Sequence, residues 1–389
     1  MVLTRYMLPV LAAAGAALAQ CQGPIHIQNQ GDATAIELCS TIKGDVLIDP
    51  SVSGTLSIDG IEQITGDLRC VNATQLTSLS ANRLATIGGK FDLEELQILS
   101  TLAFDVLSEV LTIQWIALPA LQSLTFNRGV STVTNILVSN TGLTSLNGLE
   151  LETVGLMDIN NNRYLDTVDV NNMRVVNTSI SFAANSRTLE IKLPNLQQAA
   201  NMTFRNVSDV QVPSLSYVNG SIGFYSNTFE SISLPNLTET GQALVFQDNM
   251  GLSNISVPQI TQIGAALNIN NNPDLLVIDG FPALETVVGA LDFSGGFDEV
   301  DLPHLRDVRG GFNMQTTSSK FACNAFNDLR DRDIVKGKYK CAASQENPGR
   351  LGTNSDSSGN KSKSAAPTTF NPDMPTYSVF GLIAFLFML

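Results

Sequence analysis

The chain has 389 residues, 43% of them hydrophobic and only 15% charged, so much of its polarity rests on Asn, Ser, Thr and Gln. A formal net charge of −14 is the wrong sign for wrapping phosphate backbones, so no nucleic-acid partner is expected. One Trp and two His leave little room for aromatic stacking platforms or histidine metal sites.

In chain order, residues 1–19 read MVLTRYMLPVLAAAGAALA. A basic start at Arg5, a short apolar stretch and the small residues Ala17 and Ala19 predict a secretory signal peptide cut before Gln20. Residues 20–344 are the expected ectodomain. Its organising feature is the pattern Gly-x-apolar-x-apolar, seen in GDVLI (44–48), GDLRC (66–70), GKFDL (89–93), GLMDI (155–159), GALDF (289–293) and GGFNM (310–314). Copies without the glycine include LTI (111–113), ISF (180–182), LVF (244–246) and LNI (267–269). The second apolar position falls at 48, 70, 93, 113, 138, 159, 182, 204, 224, 246, 269, 293 and 314, at gaps of 20 to 25 residues.

A second segment follows each strand and ends in a proline corner, as in KLPNL (192–196), SLPNL (233–237) and DLPHL (301–305). One unit of about 22 residues cannot bury its own apolar face. Stacking the strands in parallel buries a continuous column. The prediction is an all-β fold, a parallel β-solenoid of about 13 rungs. Alternation sends Leu291 and Phe293 inward and Asp292 outward. Prolines suit the corners, where a missing N–H costs no ladder bond. The triplets Asn160–Asn162 and Asn270–Asn272 are expected to be structural turn residues that recur from rung to rung.

A solenoid needs capped ends. Cys21 and Cys39 flank the segment before the first rung, and Cys323 and Cys341 flank a short helical segment after the last. Two local disulfides are expected, consistent with secretion. Cys70 is left over at an inward strand position and is expected to be a buried, inert thiol. Asn-x-Ser/Thr acceptor sites for glycosylation occur at Asn72, Asn177, Asn201, Asn206, Asn219, Asn236 and Asn254, with an eighth at Asn360.

Residues 345–376 are rich in Ser, Asn, Pro, Thr and Gly and read as a disordered linker. Residues 377–389, YSVFGLIAFLFML, are too few to form an ordinary spanning helix. The small triplet Ser364-Ala365-Ala366, a polar spacer and this apolar tail form a glycosylphosphatidylinositol (GPI) attachment signal. Ser364 is the expected attachment residue, with Ser358-Gly359-Asn360 as a second candidate triplet.

The early cysteine pair, the GDLxI-type opening and the LPxL corners resemble the receptor L-domain, a leucine-rich-repeat-like β-solenoid. With its many acceptor sites, the late Cys323/Cys341 pair and the Ser-rich tail, the whole chain more closely resembles the fungal GPI-anchored cell-wall proteins of the extracellular-mutant/sporulation-specific family. The resemblance implies a glycoprotein of plasma membrane and wall needed for normal wall organisation, with wall polysaccharides or wall proteins as partners. That family supplies no catalytic residues to carry over.

The residues themselves carry no nucleophile motif, phosphate loop, zinc spacing or calcium loop. No catalytic residue, cofactor or metal is expected, and the chain is read as a non-enzyme. The alternatives are a wall-glycan-modifying enzyme, which would need clustered carboxylates, and a surface adhesin or ligand-binding module. Asp298, Glu299 and Asp301 form one acidic group near the C-terminal end, read as a solvated loop. Asp158 and Asp292 share an outward column many rungs apart.

Overall fold

A computed structural model describes residues 21–351. The expected signal peptide, the rest of the linker, the apolar tail, Asn360 and Ser364 lie outside the described residues. The described chain is a parallel β-solenoid. Strands from successive turns pair in register, from Ile25–Ile27 on Val46–Ile48 through to Phe312–Thr316 on Tyr339–Ala342. All the registered pairs are parallel, which requires that each turn travel round the coil before returning.

Three sides of each turn carry strands. The main series, including Met202–Arg205, Ile222–Tyr225 and Leu244–Gln247, forms the long sheet. A second series of two-residue strands, such as Tyr217–Val218 and Glu239–Thr240, precedes it in each turn. In the middle of the chain the two series merge into continuous strands, Glu109–Leu118, Val130–Thr141 and Leu149–Asn160. The third side holds small separate sheets, among them Ser231–Ser233 with Asn254–Ser256.

The inward residues of the long sheet stack as a column. Ile48, Cys70, Leu93, Trp115, Val138, Ile159, Phe182, Phe204, Phe224, Phe246, Ile269, Phe293 and Met314 follow one another in register. Phe182, Phe204, Phe224 and Phe246 lie nearly parallel, with centroids 6.1, 5.3 and 5.2 Å apart. Cys70 is fully buried in this column, and burial pushes its thiol pKa up to about 12. It is inert at physiological pH.

One expected rung is shifted. Leu93 pairs with Trp115, not with Ile113, so the inward pair of that turn is Ile113 and Trp115. Leu111 is 51% exposed, whereas Trp115 is fully buried. The LTI match at 111–113 is two residues early because the ten-residue strand Glu109–Leu118 alternates over its whole length, and two registers fit the same template. The structure spaces Trp115 22 residues after Leu93 and 23 before Val138, more evenly than the expected placement.

The corners follow from residue chemistry. Leu196 N–H donates to Leu193 O and Leu237 N–H to Leu234 O, closing turns with Pro at the second position, where its fixed φ is already correct. At the end of ten of the main strands the chain bends through one residue of positive φ: Asn72, Glu95, Ala117, Asn140, Asn161, Ala184, Asn206, Ser226, Asp248 and Asn271. Asn is the side-chain-bearing residue that tolerates this region best. The next residue turns inward. There Asn162, Asn185, Asn227, Asn249 and Asn272 are buried.

These asparagines form a ladder. Asn249 Oδ1 accepts from the Asn227 N–H at 2.9 Å, and Asn249 Nδ2 donates to Phe224 O at 3.1 Å. Asn272 repeats both bonds one turn on, to Asn249 N–H and Phe246 O. Each amide thereby satisfies the backbone groups freed by the bend. The three members of a triplet have different roles: Asn270 lies on the outward side of the strand, buried and accepting from Ser294 Oγ at 2.7 Å, Asn271 takes the positive φ, and Asn272 enters the ladder.

A second ladder explains the recurring Gly-Asp. Asp45 Oδ1 accepts from Asp67 N–H at 2.9 Å, and Asp67 Oδ1 from Lys90 N–H at 2.7 Å. A Cβ at Gly66 would lie 2.1 Å from Asp45 Oδ1, so glycine is required there.

Both ends are capped and cross-linked. Cys21–Cys39 has Cα atoms 5.7 Å apart and spans helix α1 (Gln30–Ala35), which Asn29 caps. Cys323–Cys341 has Cα atoms 5.9 Å apart and spans helix α2 (Asn324–Asp331), whose Phe326 packs on Phe312. Each cap also adds a strand to the long sheet, beyond the thirteen rungs of the repeat.

Trp115→Ala is expected to cost about 3–5 kcal/mol, and Leu111→Ala less than about 0.5 kcal/mol. Thermal melting of the two variants checks the register: equal losses would contradict it. Asn249→Ala removes the acceptor of the buried Asn227 N–H, a loss of about 1–3 kcal/mol, measured the same way.

Candidate functional site: the outward face of the long sheet

The long sheet turns its other face to solvent, and strand alternation builds two outward columns on it. The first passes through Asp158, Ser181, Thr203, Gly223, Val245 and Asn268. The second carries Asn160, Ala183, Arg205, Tyr225, Gln247 and Asn270 over the same turns. Of these twelve residues only Asp158 and Arg205 are charged, in a chain of net charge −14, and Gly223, Val245 and Asn270 are buried. Tyr225 lies across Gly223: a Cβ there would meet its ring at 2.4 Å. The Arg205 guanidinium sits 4.9 Å from the centroid of the same ring, a cation–π contact. Burial raises the Tyr225 pKa, and Arg205 partly offsets it, so the phenol stays protonated and able to donate.

Toward the N-terminal end the same columns become ionic. Arg69, Asp92 and Gln114 follow one another in register, with Glu94 beside Asp92 on its strand. Asp92 is only 5% exposed. Its Oδ2 lies 3.2 Å from Arg69 Nε, and its Oδ1 has no hydrogen-bond partner. Burial raises the Asp92 pKa to about 6, the Glu94 charge adds to the rise, and Arg69 and Lys90 oppose it. The pair was not singled out in the sequence, because in KFDLEE the two carboxylates look like ordinary outward alternation. They sit two residues apart on one strand, roughly 6–7 Å along it and facing the same way. Glycoside cleavage needs two carboxylates flanking the scissile bond, whereas these two stand side by side on one strand of an open sheet face.

Toward the C-terminal end the chain covers its own face. Residues Gln345–Leu351 extend the folded body past the expected linker boundary. Asn313 Nδ2 and Gln315 Nε2 donate to Gly349 O at 2.8 and 2.7 Å, and Leu351 N–H donates to Asp292 Oδ2 at 3.2 Å. Asp292 is therefore outward in register yet only 7% exposed, and burial raises its pKa. Asp158 shares its column but lies six turns away, so the two form no site.

The remaining sequence-derived positions stay apart. Asp298 pairs with Lys320 at 2.7 Å and accepts from Ser318, which holds its pKa below the usual carboxylate value; Glu299 is exposed. His26 lies in the first strand of the long sheet, and His304 sits at a corner against Pro282 O. Among the described residues, no group of three or more His, Cys, Asp or Glu could hold a metal ion. The seven acceptor asparagines of the body are all accessible, six exposed and Asn206 half-buried.

Comparison with known proteins identifies relatives of this chain. A family model described as Ecm33, a GPI-anchored cell wall organization protein, matches residues 1–36. The chain is 43% identical over 352 residues to Protein ecm33 of Aspergillus fumigatus, covering 90% of this chain and 88% of that one. The chain belongs to the Ecm33 family. A cell surface GPI-anchored protein of Arthroderma benhamiae is 44% identical over 94% of this chain and 95% of its own length. Sporulation-specific protein 2 of Saccharomyces cerevisiae is 30% identical over 94% of this chain and 78% of its own. None of these Ecm33-family names is that of an enzyme. No solved structure matches the chain.

The Asp92 shift has a definite sign. Its folded pKa of about 6 lies above the unfolded value of about 3.9. The stability linked to protonated Asp92 is present below pH 4 and is lost as pH rises through 6. Asp92→Asn removes that loss. Its melting temperature relative to the wild type should rise between pH 4 and pH 7. A difference that stays constant across this range would contradict the assignment.

Proposed function

We propose that the protein is a non-catalytic, GPI-anchored glycoprotein of the outer plasma-membrane face and the cell wall, where it organises the wall. Relatedness over nine tenths of the chain to Ecm33-family proteins carries this reading. A regular coil locked by side-chain ladders and two disulfide-bonded caps suits a rigid spacer. The wall role follows from the family. Partners are wall polysaccharides or wall proteins, and the membrane is reached through the GPI lipid. In this reading Ser364 receives the anchor and the segment from 352 onward is the tether.

Asn72, Asn177, Asn201, Asn206, Asn219, Asn236 and Asn254 are the proposed glycan acceptors. Six are exposed. Asn201 and Asn236 already donate Nδ2 to Thr178 O and Pro213 O, so their modification has to precede or displace those bonds. Endoglycosidase digestion of the mature protein should lower its apparent mass by several glycan units. An unchanged mobility would remove this part of the reading.

Tethering is the decisive element of function. Holding the coil at the membrane raises its effective concentration against wall polymers. Cells lacking the protein should be hypersensitive to wall-binding dyes and to glucanase. The full chain should restore resistance, whereas a chain ending at Gly352, which keeps every described contact, should be secreted without restoring it. Full restoration by that soluble form would replace the tethered scaffold with a diffusible activity, such as a wall-glycan-modifying enzyme.

A further inference from the structure

The mature protein meets its wall partner somewhere on a large surface. Four observations single out one part of it. First, the proposed glycan acceptors leave it bare. None of the seven acceptor asparagines lies in the two outward columns between Asp158 and Asn270. Asn177 and Asn219 follow the second strand series, and Asn236 and Asn254 lie at a proline corner and on the third side. Asn201 precedes its main strand, and Asn206 occupies the bend that borders the face. Glycans at these positions would attach at the corners, on the other sides and along the rims of the face, at no position within it.

Second, the charge pattern selects the ligand class. The face is nearly neutral in an acidic protein and presents hydroxyl and amide groups from Ser181, Thr203, Gln247 and Asn268. Such a surface repels no uncharged polymer and matches the hydroxyls of a sugar chain one for one in kind. Third, the Tyr225–Arg205 pair gives the face one planar anchor with a polar tip, the combination that binding sites use to add contact area and fix orientation.

Fourth, the protein already seats a segment of its own chain on the adjacent part of the same face. The segment around Gly349 lies against Asn313, Gln315 and Asp292, which continue the columns of Asn268 and Asn270. There, outward amides bind a polymer through its polar groups without any enclosed pocket. The segment leaves the earlier turns open, so the same chemistry is available there to an extended polymer.

We propose that the outward face of the long sheet, from Asp158 to Asn270 and centred on Tyr225, is the docking surface for an extended, neutral wall polysaccharide. The inference rests on the non-catalytic wall role proposed above and names its working surface. No bond is made or broken. The polymer lies over the turns, its hydroxyls exchanging hydrogen bonds with Thr203, Gln247 and Asn268, and one sugar ring rests by Tyr225.

The test uses the full-length mature protein extracted from membranes in detergent, incubated with particulate neutral β-glucan and, in parallel, with particulate chitin. The wild type should be retained on at least one. Thr203→Glu combined with Asn268→Glu places charge in the column and should weaken retention about tenfold. Tyr225→Ala should do the same without adding charge. Ser231→Glu, exposed on the third side, should leave retention unchanged. Melting temperatures identify any variant that fails to fold; if the double variant does, Tyr225→Ala alone decides. Retention of the folded outward-face variants equal to wild type, or no retention of the wild type on either polymer, overturns the proposal. Complementation keeps this separate from the wall role. If the tethered wild type restores wall resistance while retention fails to respond, only the surface assignment is lost. If the tethered wild type restores nothing, the role itself is lost.

Discussion

Each turn of this coil must bring the chain back to a point one strand spacing above where it started. That closure condition governs the rest of the structure. Parallel pairing is satisfied only if every turn has nearly the same length and bends at the same places. The bends free backbone groups that are buried, and these must be paired. The asparagine ladder does this from Asn227 through Asn249 to Asn272, each amide serving the turn before it. The positive-φ residue just before each ladder position makes the bend, and glycines such as Gly66 let neighbouring turns approach.

Stacking then sets where function can be. Inward positions are taken by the column of Phe182, Phe204, Phe224 and Phe246, and the corners by Leu-Pro-x-Leu turns, so neither can vary much. The outward face of the long sheet is free of these duties. Its character changes along the coil: ionic around Arg69, Asp92 and Glu94, neutral around Thr203 and Tyr225, and covered by the chain's own segment near Asp292. The end caps terminate the stack, each with a short helix and a disulfide.

Much of the fold was legible in the sequence because the repeat states it thirteen times. The inward alternation, the proline corners, both disulfides and the buried Cys70 all follow from local pattern. Trp115 did not, since Leu111-Thr112-Ile113 fits the same short template and only pairing with Leu93 decides between them. The asparagine triplets were legible as turns, but not as an outward residue, a bend and a ladder rung. The buried Asp92 was hidden for a different reason. Its surroundings come from Arg69 and Gln114, each more than twenty residues away, and local alternation carries no information about them. The segment at Gly349 has the composition of a linker; it is held only by amides from turns far upstream.

The central claim is that the neutral outward face is the surface the wall covers. Hydroxyl-radical footprinting of intact cell walls, compared with the extracted protein, tests it directly. Tyr164 and Met250 are exposed at 48% and 59% and lie off that face, so they should be oxidised in both states. Tyr225 should be oxidised in the extracted protein and protected in the wall. Equal oxidation of Tyr225 in the two states would contradict the claim.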